Sequence, residues 1–241
     1  MAVSWEDEGI VVSVRRFGDY DAIASLMTGS QGRHVGLVKG GMGKKHRGIL
    51  QPGNLVKASW RARLEEHLGT FTVEGVQSYA ALALSNADQL AGLSAMCAMI
   101  EDTMPEREPH LEVYQRTLDL LTQLDAAYWP ALYAKWELAL LADMGYGLDL
   151  ASCAATGSRD DLIYVSPKSG RAVSRGAGEP YVGKLLALPA FMAGGADDAP
   201  NSPEIAAALE LTGHFFESRV FRPQKRELPA SRTRFVVRLK G

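Results

Sequence analysis

The stretch GNLVKASWRAR, residues 53–63, alternates apolar and polar side chains with a period of two. Val56, Ala58, Trp60 and Ala62 fall on one face, and Lys57, Ser59, Arg61 and Arg63 on the other. This is the pattern of a half-buried strand with an apolar inside and a basic outside. It assigns Trp60 to a core and not to an exposed stacking surface.

Working outward, GIVVSVRRF, YDAIASLM, RHVGLVK and LGTFTVEGVQSY are further β-rich runs, punctuated by Gly, Asp and Pro. Five short strands within residues 1–80 fit a small closed barrel of OB type, which removes its own exposed edges. After Tyr79 the period changes to that of a helix. Leu90, Leu93, Cys97 and Ile100 form one stripe, Leu111, Tyr114, Leu118, Leu121 and Leu124 a second, and Trp129, Leu132, Trp136, Leu140 and Met144 a third. Pro105 and Pro109 bound the first two helices, Pro130 suits the opening turn of the third, and Gly145 and Gly147 end it. These stripes read as bundle core, Cys97 included. In LIYVSPKSGRAVS two strand-like runs flank a turn, which predicts a hairpin. Ser202 as N-cap and Pro203 at the first helical position open another helix, and the tail LPASRTRFVVRLKG is expected to be helical. The fold class is therefore α+β: a five-stranded barrel over 1–80, then a helical domain over 81–241 with a small hairpin insertion at 148–180.

With 46% hydrophobic and 22% charged residues the chain can bury a core. It has no run of eighteen apolar residues, and its acidic N-terminus, MAVSWEDEGI, lacks the layout of a signal peptide. Cys97 and Cys153 make no disulfide framework in a chain of this size. The expectation is a cytoplasmic protein without a membrane span. The net charge of −2 hides a strong asymmetry. Between Gly29 and Leu64 stand eight cations (Arg33, Lys39, Lys44, Lys45, Arg47, Lys57, Arg61 and Arg63) and no carboxylate. From Glu65 to Leu150 there are fourteen acidic residues against three basic ones; from Arg219 to Lys240, eight basic against Glu227 alone. Such blocks point to a polyanion partner for the ends of the chain.

KGGMGKKHRG, residues 39–48, tests two ideas at once. A nucleotide-binding phosphate loop needs a Gly five residues before the second Gly and a hydroxyl after the Lys. Here those places hold Val38 and Lys45. The stretch instead reads as a flexible basic strap for a polynucleotide backbone. No site for acid–base chemistry emerges. The five histidines show no compact metal motif, no G-x-S-x-G elbow is present, and Asp160 and Asp161 are turn residues. The protein is not expected to be an enzyme. CAATG before the hairpin has the outline of a zinc knuckle, whose ligand slots would be Cys153, Thr156, Ser174 and Ala177. One thiol in four slots cannot hold the ion, so no metal or other cofactor is expected.

These pieces together resemble the RecO family of bacterial recombination mediators over nearly the whole chain. The barrel segment LVKGGMGKKHRGILQPGNLVKASWRARLEEHLGTF, the connection MPEREPH and the module CAATG…YVSPKSGRAVS carry the likeness. The resemblance implies an N-terminal OB barrel and a helical domain with a zinc-ribbon-like insertion, here without the four cysteines. It implies binding of single- and double-stranded DNA, annealing of complementary strands, and action with RecR to load RecA onto ssDNA coated by SSB in gap and break repair. RecF and RecA are implied as indirect partners, the acidic SSB tail as a direct one, and the setting as the cytoplasm, associated with the nucleoid. The eight cations of residues 33–63 are the expected DNA contacts. Few aromatics are expected on the barrel exterior, so electrostatics should outweigh stacking. For the SSB tail, Arg219, Arg222, Lys225 and Arg226 could form a basic rim beside an apolar site on helix 128–144. The competing reading is an OB-fold RNA-binding accessory factor of translation or RNA processing.

Overall fold

The computed structural model describes residues 3–194 and 199–240. Strands β1 (Val3–Phe17), β2 (Asp21–Thr28) and β3 (Gly32–Val38) are followed by one helical turn, α1 (Lys44–Arg47), and by β4 (Leu55–Ala62) and β5 (Thr70–Gln77). They close a barrel in the order β1-β2-β3-β5-β4. The alternation in β4 holds: Val56, Ala58, Trp60 and Ala62 line the core with Val11, Leu26, Val38, Phe71 and Val73, while Lys57 and Arg61 are exposed. β1 is longer than its apolar run suggests. Its acidic first half pairs with β4 and its second half with β2, divided by an irregularity between Val11 and Ser13 that lets one strand serve two neighbours. β3 and β5 meet as a short parallel pair, Leu37 beside Thr70 and Val38 beside Phe71.

Helices α2 (Tyr79–Ala83), α3 (Ala87–Thr103) and α4 (Leu111–Thr122) come next. Asn86 caps α3 by accepting from the backbone N–H groups of Asp88 and Gln89. The α3 stripe lies against β1, where Cys97 is buried and donates to the Val11 carbonyl. Packing thus groups residues 1–125 into one compact unit with 229–235. That unit extends past residue 80, where the change of periodicity alone would place the boundary.

The second unit comprises residues 126–228 and 236–241. In it α5 (Trp129–Asp143) opens with Pro130 in its first turn and buries Trp129, Tyr133 and Trp136. Strands β6 (Leu162–Val165) and β7 (Ala172–Ser174) form the expected hairpin. After α6 (Arg175–Gly178), a third strand, β8 (Leu186–Ala187), joins the other side of β6. Two residues long, it leaves no pattern to read. Helix α7 (Ser202–Phe215) is capped one residue earlier than expected. Asn201, not Ser202, accepts from the Glu204 N–H, and Glu204 reaches back to the Asn201 N–H, a reciprocal capping box. The tail is helical, as α8 (Ala230–Lys240).

Candidate nucleic-acid interface

One row of the barrel wall is built by strand register. Arg15 lies opposite Ile23, Ile23 opposite Leu37, Leu37 beside Thr70, Thr70 opposite Arg61, and Arg61 opposite Ser4. Directly opposed residues share a face, and this row alternates with the core-lining one, so it lies on the outer side of the wall, although Ile23 within it is buried. It links the β1–β2 hairpin tip at one side to the β4–β5 turn at the other. Arg15 and Arg61 are exposed at its ends; between them Ile23 is buried and Leu37 and Thr70 are half-buried.

The β4–β5 turn forms an open cleft of about 430 Å³ lined by Arg61, Ala62, Arg63, His67, Gly69 and Thr70. Arg107 pins this turn by donating to the carbonyl of Glu65 and, at 2.9 Å, to that of His67. At the other side, residues 39–48 are ordered by specific contacts and do not form the loose strap expected. The Gly40 N–H donates to Asp21 Oδ1 at 2.7 Å, the Met42 N–H to the Tyr20 carbonyl at 3.0 Å, and His46 Nδ1 lies 3.1 Å from the Gly40 carbonyl. Gly40 takes φ +64°, and a Cβ on Gly41 would stand 2.7 Å from that of Ala22. The glycines therefore serve a tight turn and a close approach. Lys39, Lys44, Lys45 and Arg47 all project into solvent from this frame.

Two of the expected DNA contacts have carboxylates set beside them. Arg33 is 9% exposed. Its guanidinium donates to the Met104 carbonyl at 2.8 Å and to Ser25 Oγ at 3.3 Å, and it pairs with Glu101 at 3.5 Å and Glu106 at 3.4 Å. The connection MPEREPH docks along this part of β3, with Glu106 bridged to Arg33 and the Arg107 N–H bonded to the Arg33 carbonyl. Arg33 thus holds the barrel to the α3–α4 connection and, buried and paired, does not project into solvent as expected of a DNA contact. Lys57 is exposed, but strand pairing sets Glu8 on one side of it and Glu74 on the other. The absence of carboxylates within residues 29–64 did not foretell this, because neighbouring strands supply them. Arg61 faces Ser4 and Thr70 at the same register and has no such neighbours.

Exposed aromatics on the barrel are few among the described residues, and both stand at one place. Phe17 is 49% and Tyr20 78% exposed at the hairpin tip. Arg15 and Arg16, next to them, fall outside the cationic block of residues 33–63; the run VRRF directly before a Gly-Asp turn is the signal in the sequence that marks them. The buried aromatics lie inside. Trp60 stacks on Trp5 at 5.9 Å and donates to the Leu68 carbonyl at 3.0 Å. His34 lies edge-on to both, 4.6 Å from the Trp60 ring and 5.1 Å from Trp5, with neither ring nitrogen hydrogen-bonded. Burial, with Arg107 nearby as a second cause, lowers its pKa to about 4.

In the second unit, Arg219 lies over the Phe215 ring at 4.5 Å and is half-buried, Arg222 pairs with Glu217 at 2.8 Å, and Arg226 lies over Phe221 at 5.4 Å. Lys225 is exposed at a left-handed turn, φ +56°. In the knuckle, the Cys153 sulfur accepts from both the N–H and the hydroxyl of Ser174, each at 3.3 Å. Burial alone would push this thiol up; the bonds from Ser174 and from Thr156 together outweigh it and hold the pKa at about 6. Zinc requires four thiolate or imidazole ligands in such a site, and Thr156, Ser174 and Ala177 supply none. The residues present do not fit the ion. Among the described residues, no group of three or more His, Cys, Asp or Glu is placed to hold a metal.

Residues 1–79 match the family model described as Recombination protein O N terminal, and residues 84–228 the one described as Recombination protein O C terminal. The chain belongs to the RecO family. It is 47% identical over 244 residues to the DNA repair protein RecO of Rhodospirillum rubrum, covering 99% of this chain and 97% of that protein. It is 47% identical over 238 residues to that of Rhodospirillum centenum, covering 98% and 94%. With a RecO of Cereibacter sphaeroides it shares 46% identity over 236 residues, 97% of each chain. Membership of RecO makes this a DNA repair protein with a role in recombination repair, and not a catalyst. Among the described residues no helix is long and apolar enough to cross a membrane.

Proposed function

We propose that this RecO-family chain binds single- and double-stranded DNA across the outward row from Arg15 to Arg61. Lys39, Lys44, Lys45 and Arg47 flank one end of that row and Arg63 the other; Lys57 makes a minor contribution. The carrying observation is that two cationic groups, far apart in sequence, are joined by strand register with no carboxylate opposed to them. Cations so placed neutralise phosphates and release counterions whatever the sequence. Two strands held this way keep their Watson–Crick edges available, which suits annealing of complementary ssDNA.

On this reading the protein works with RecR to help load RecA onto SSB-coated ssDNA in gap and break repair, with RecF indirectly involved, in association with the nucleoid. The acidic SSB tail would meet Lys225 first, since Arg222 is paired with Glu217 and Arg219 and Arg226 already lie over aromatic rings. The knuckle is metal-free and is held by the bonds to Cys153 in place of an ion.

The test is strand annealing on SSB-coated oligonucleotides, comparing the wild type with a variant carrying Lys44→Ala, Lys45→Ala and Arg47→Ala. Loss of annealing with an unchanged melting curve supports the reading; full annealing by the triple variant overturns it. Competition by ssRNA of equal length checks the nucleic acid, since a clear RNA preference would favour a translation or RNA-processing factor. A chelator should leave the melting curve unchanged, whereas Ser174→Ala should lower it.

A further inference from the structure

We infer that Phe17 and Tyr20 form a stacking platform for the bases of single-stranded DNA, set beside the cations that hold its phosphates. This rests on the DNA-binding reading above and adds to it a second, non-ionic kind of contact.

Exposure is the first observation. Residues 15–20 are all exposed, so the hairpin tip projects from the barrel carrying two rings. Neither ring has an aromatic or cationic partner among the described residues, in contrast to the Trp5–Trp60 pair inside. Met42, 40% exposed, extends the apolar surface from the adjoining loop. Large apolar side chains gathered at one tip carry a cost in water unless something covers them.

Rigidity is the second. Arg16 donates from Nε to the Gly18 carbonyl and from Nη2 to that of Asp19, both at 3.0 Å, bracing the turn from within. The Met42 N–H binds the Tyr20 carbonyl, and Asp21 is engaged by the Gly40 N–H. A platform ordered before binding loses little freedom when a base settles on it.

Charge selects the occupant. Arg15 stands two residues before Phe17 on the same strand face, Lys39 leaves the end of β3 beside the Gly40–Asp21 contact, and Lys44 and Lys45 begin two residues beyond Met42. Exposed rings set among Arg15, Arg16, Lys39, Lys44 and Lys45, against the exposed carboxylate of Asp19 in the turn itself, match an alternating chain of bases and phosphates. A duplex keeps its base faces stacked inside and cannot offer them to a projecting ring. An apolar peptide needs a concave groove, and this tip projects. Single-stranded DNA satisfies both constraints.

The test measures fluorescence anisotropy of a labelled oligo-dT and of an abasic strand of equal length, over a salt series. The proteins are wild type, Phe17→Ala, Tyr20→Ala, the double variant and Tyr20→Trp. Each ring removed should weaken oligo-dT binding about tenfold, leave the slope of log K against log salt unchanged, and leave abasic binding as in the wild type. Tyr20→Trp should bind at least as tightly as the wild type. If the double variant binds oligo-dT like the wild type, or loses both strands equally, the inference is overturned, and in the first case the tip is left to a protein partner. Wild type that binds neither strand at low salt would instead overturn the DNA-binding reading itself, and the platform with it.

Discussion

The two ends of β3 carry the same kind of residue and do opposite things. Arg33, near its start, is buried and bound by two carboxylates and a carbonyl. Lys39, just past its end, is exposed beside two glycines. Nothing in the cations themselves separates them; what packs on each stretch of strand does. The end of α3 and the α3–α4 connection cover the first stretch, and each sets one carboxylate, Glu101 and Glu106, on Arg33. The second stretch borders the hairpin tip, where Asp21 is bonded to a backbone N–H and Asp19 is exposed. A block of like charge in a sequence is therefore one surface only if one environment faces it.

Substituting Arg33 is the most direct way to probe that contrast. Arg33→Ala would leave the Met104 carbonyl without its donor and the partly exposed Glu101 and Glu106 without their cation, and should cost about 1–3 kcal/mol in denaturant unfolding. Arg33→Lys should recover part of that loss. In whatever fraction remains folded, the salt dependence of ssDNA binding should match the wild type, and a reduced slope would place Arg33 back at the interface.

The interior of the same strand offers a second probe. His34 has a pKa of about 4 in the fold against 6.5 when free, so the fold favours its neutral form. That stabilisation is complete above pH 6.5 and is lost as pH falls from 6.5 through 4. It amounts to about 3 kcal/mol across the window, from ~1.4 kcal/mol per pKa unit. The measurement is the melting temperature against pH for the wild type and for His34→Leu. The variant should lose less stability between pH 6.5 and 4, and parallel curves would contradict the burial of a neutral imidazole.

The smallest effects sharpen the exposed side. Changing Lys44, Lys45 and Arg47 together to Ala should reduce the ssDNA salt slope by about 2, at roughly 0.7 per phosphate contact. Lys57→Ala, flanked by Glu8 and Glu74, should change it by well under ~0.7. Equal effects per residue would mean that the neighbouring carboxylates do not screen Lys57.

The barrel was readable because β4 obeys its period so strictly, and the helical stripes because each repeats over several turns. The start of β1 was not, since Glu6, Asp7 and Glu8 interrupt any apolar pattern; pairing with β4 holds that stretch in place. The cap of α7 was missed by one residue because Asn201 and Ser202 are both good caps, and only the Glu204 contact chooses. For the interface, the sequence supplied the exposed cations of residues 39–47 and of β4. It could not supply the contacts that remove Arg33, which come from residues about seventy positions away. Nor could it raise Tyr20 from a turn residue to part of a surface, because exposure depends on what fails to pack there.

The closure of the barrel carries one consequence. β3 and β5 are joined through two opposed pairs, Leu37 with Thr70 and Val38 with Phe71, whereas the other strand neighbours align over seven or more. This seam is where the cylinder should breathe first, and its amides should exchange with solvent ahead of the rest. The row from Arg15 to Arg61 crosses it, so a polyanion lying along that row would act as a stitch, and occupancy would be legible as slowed exchange at Leu37 and Phe71.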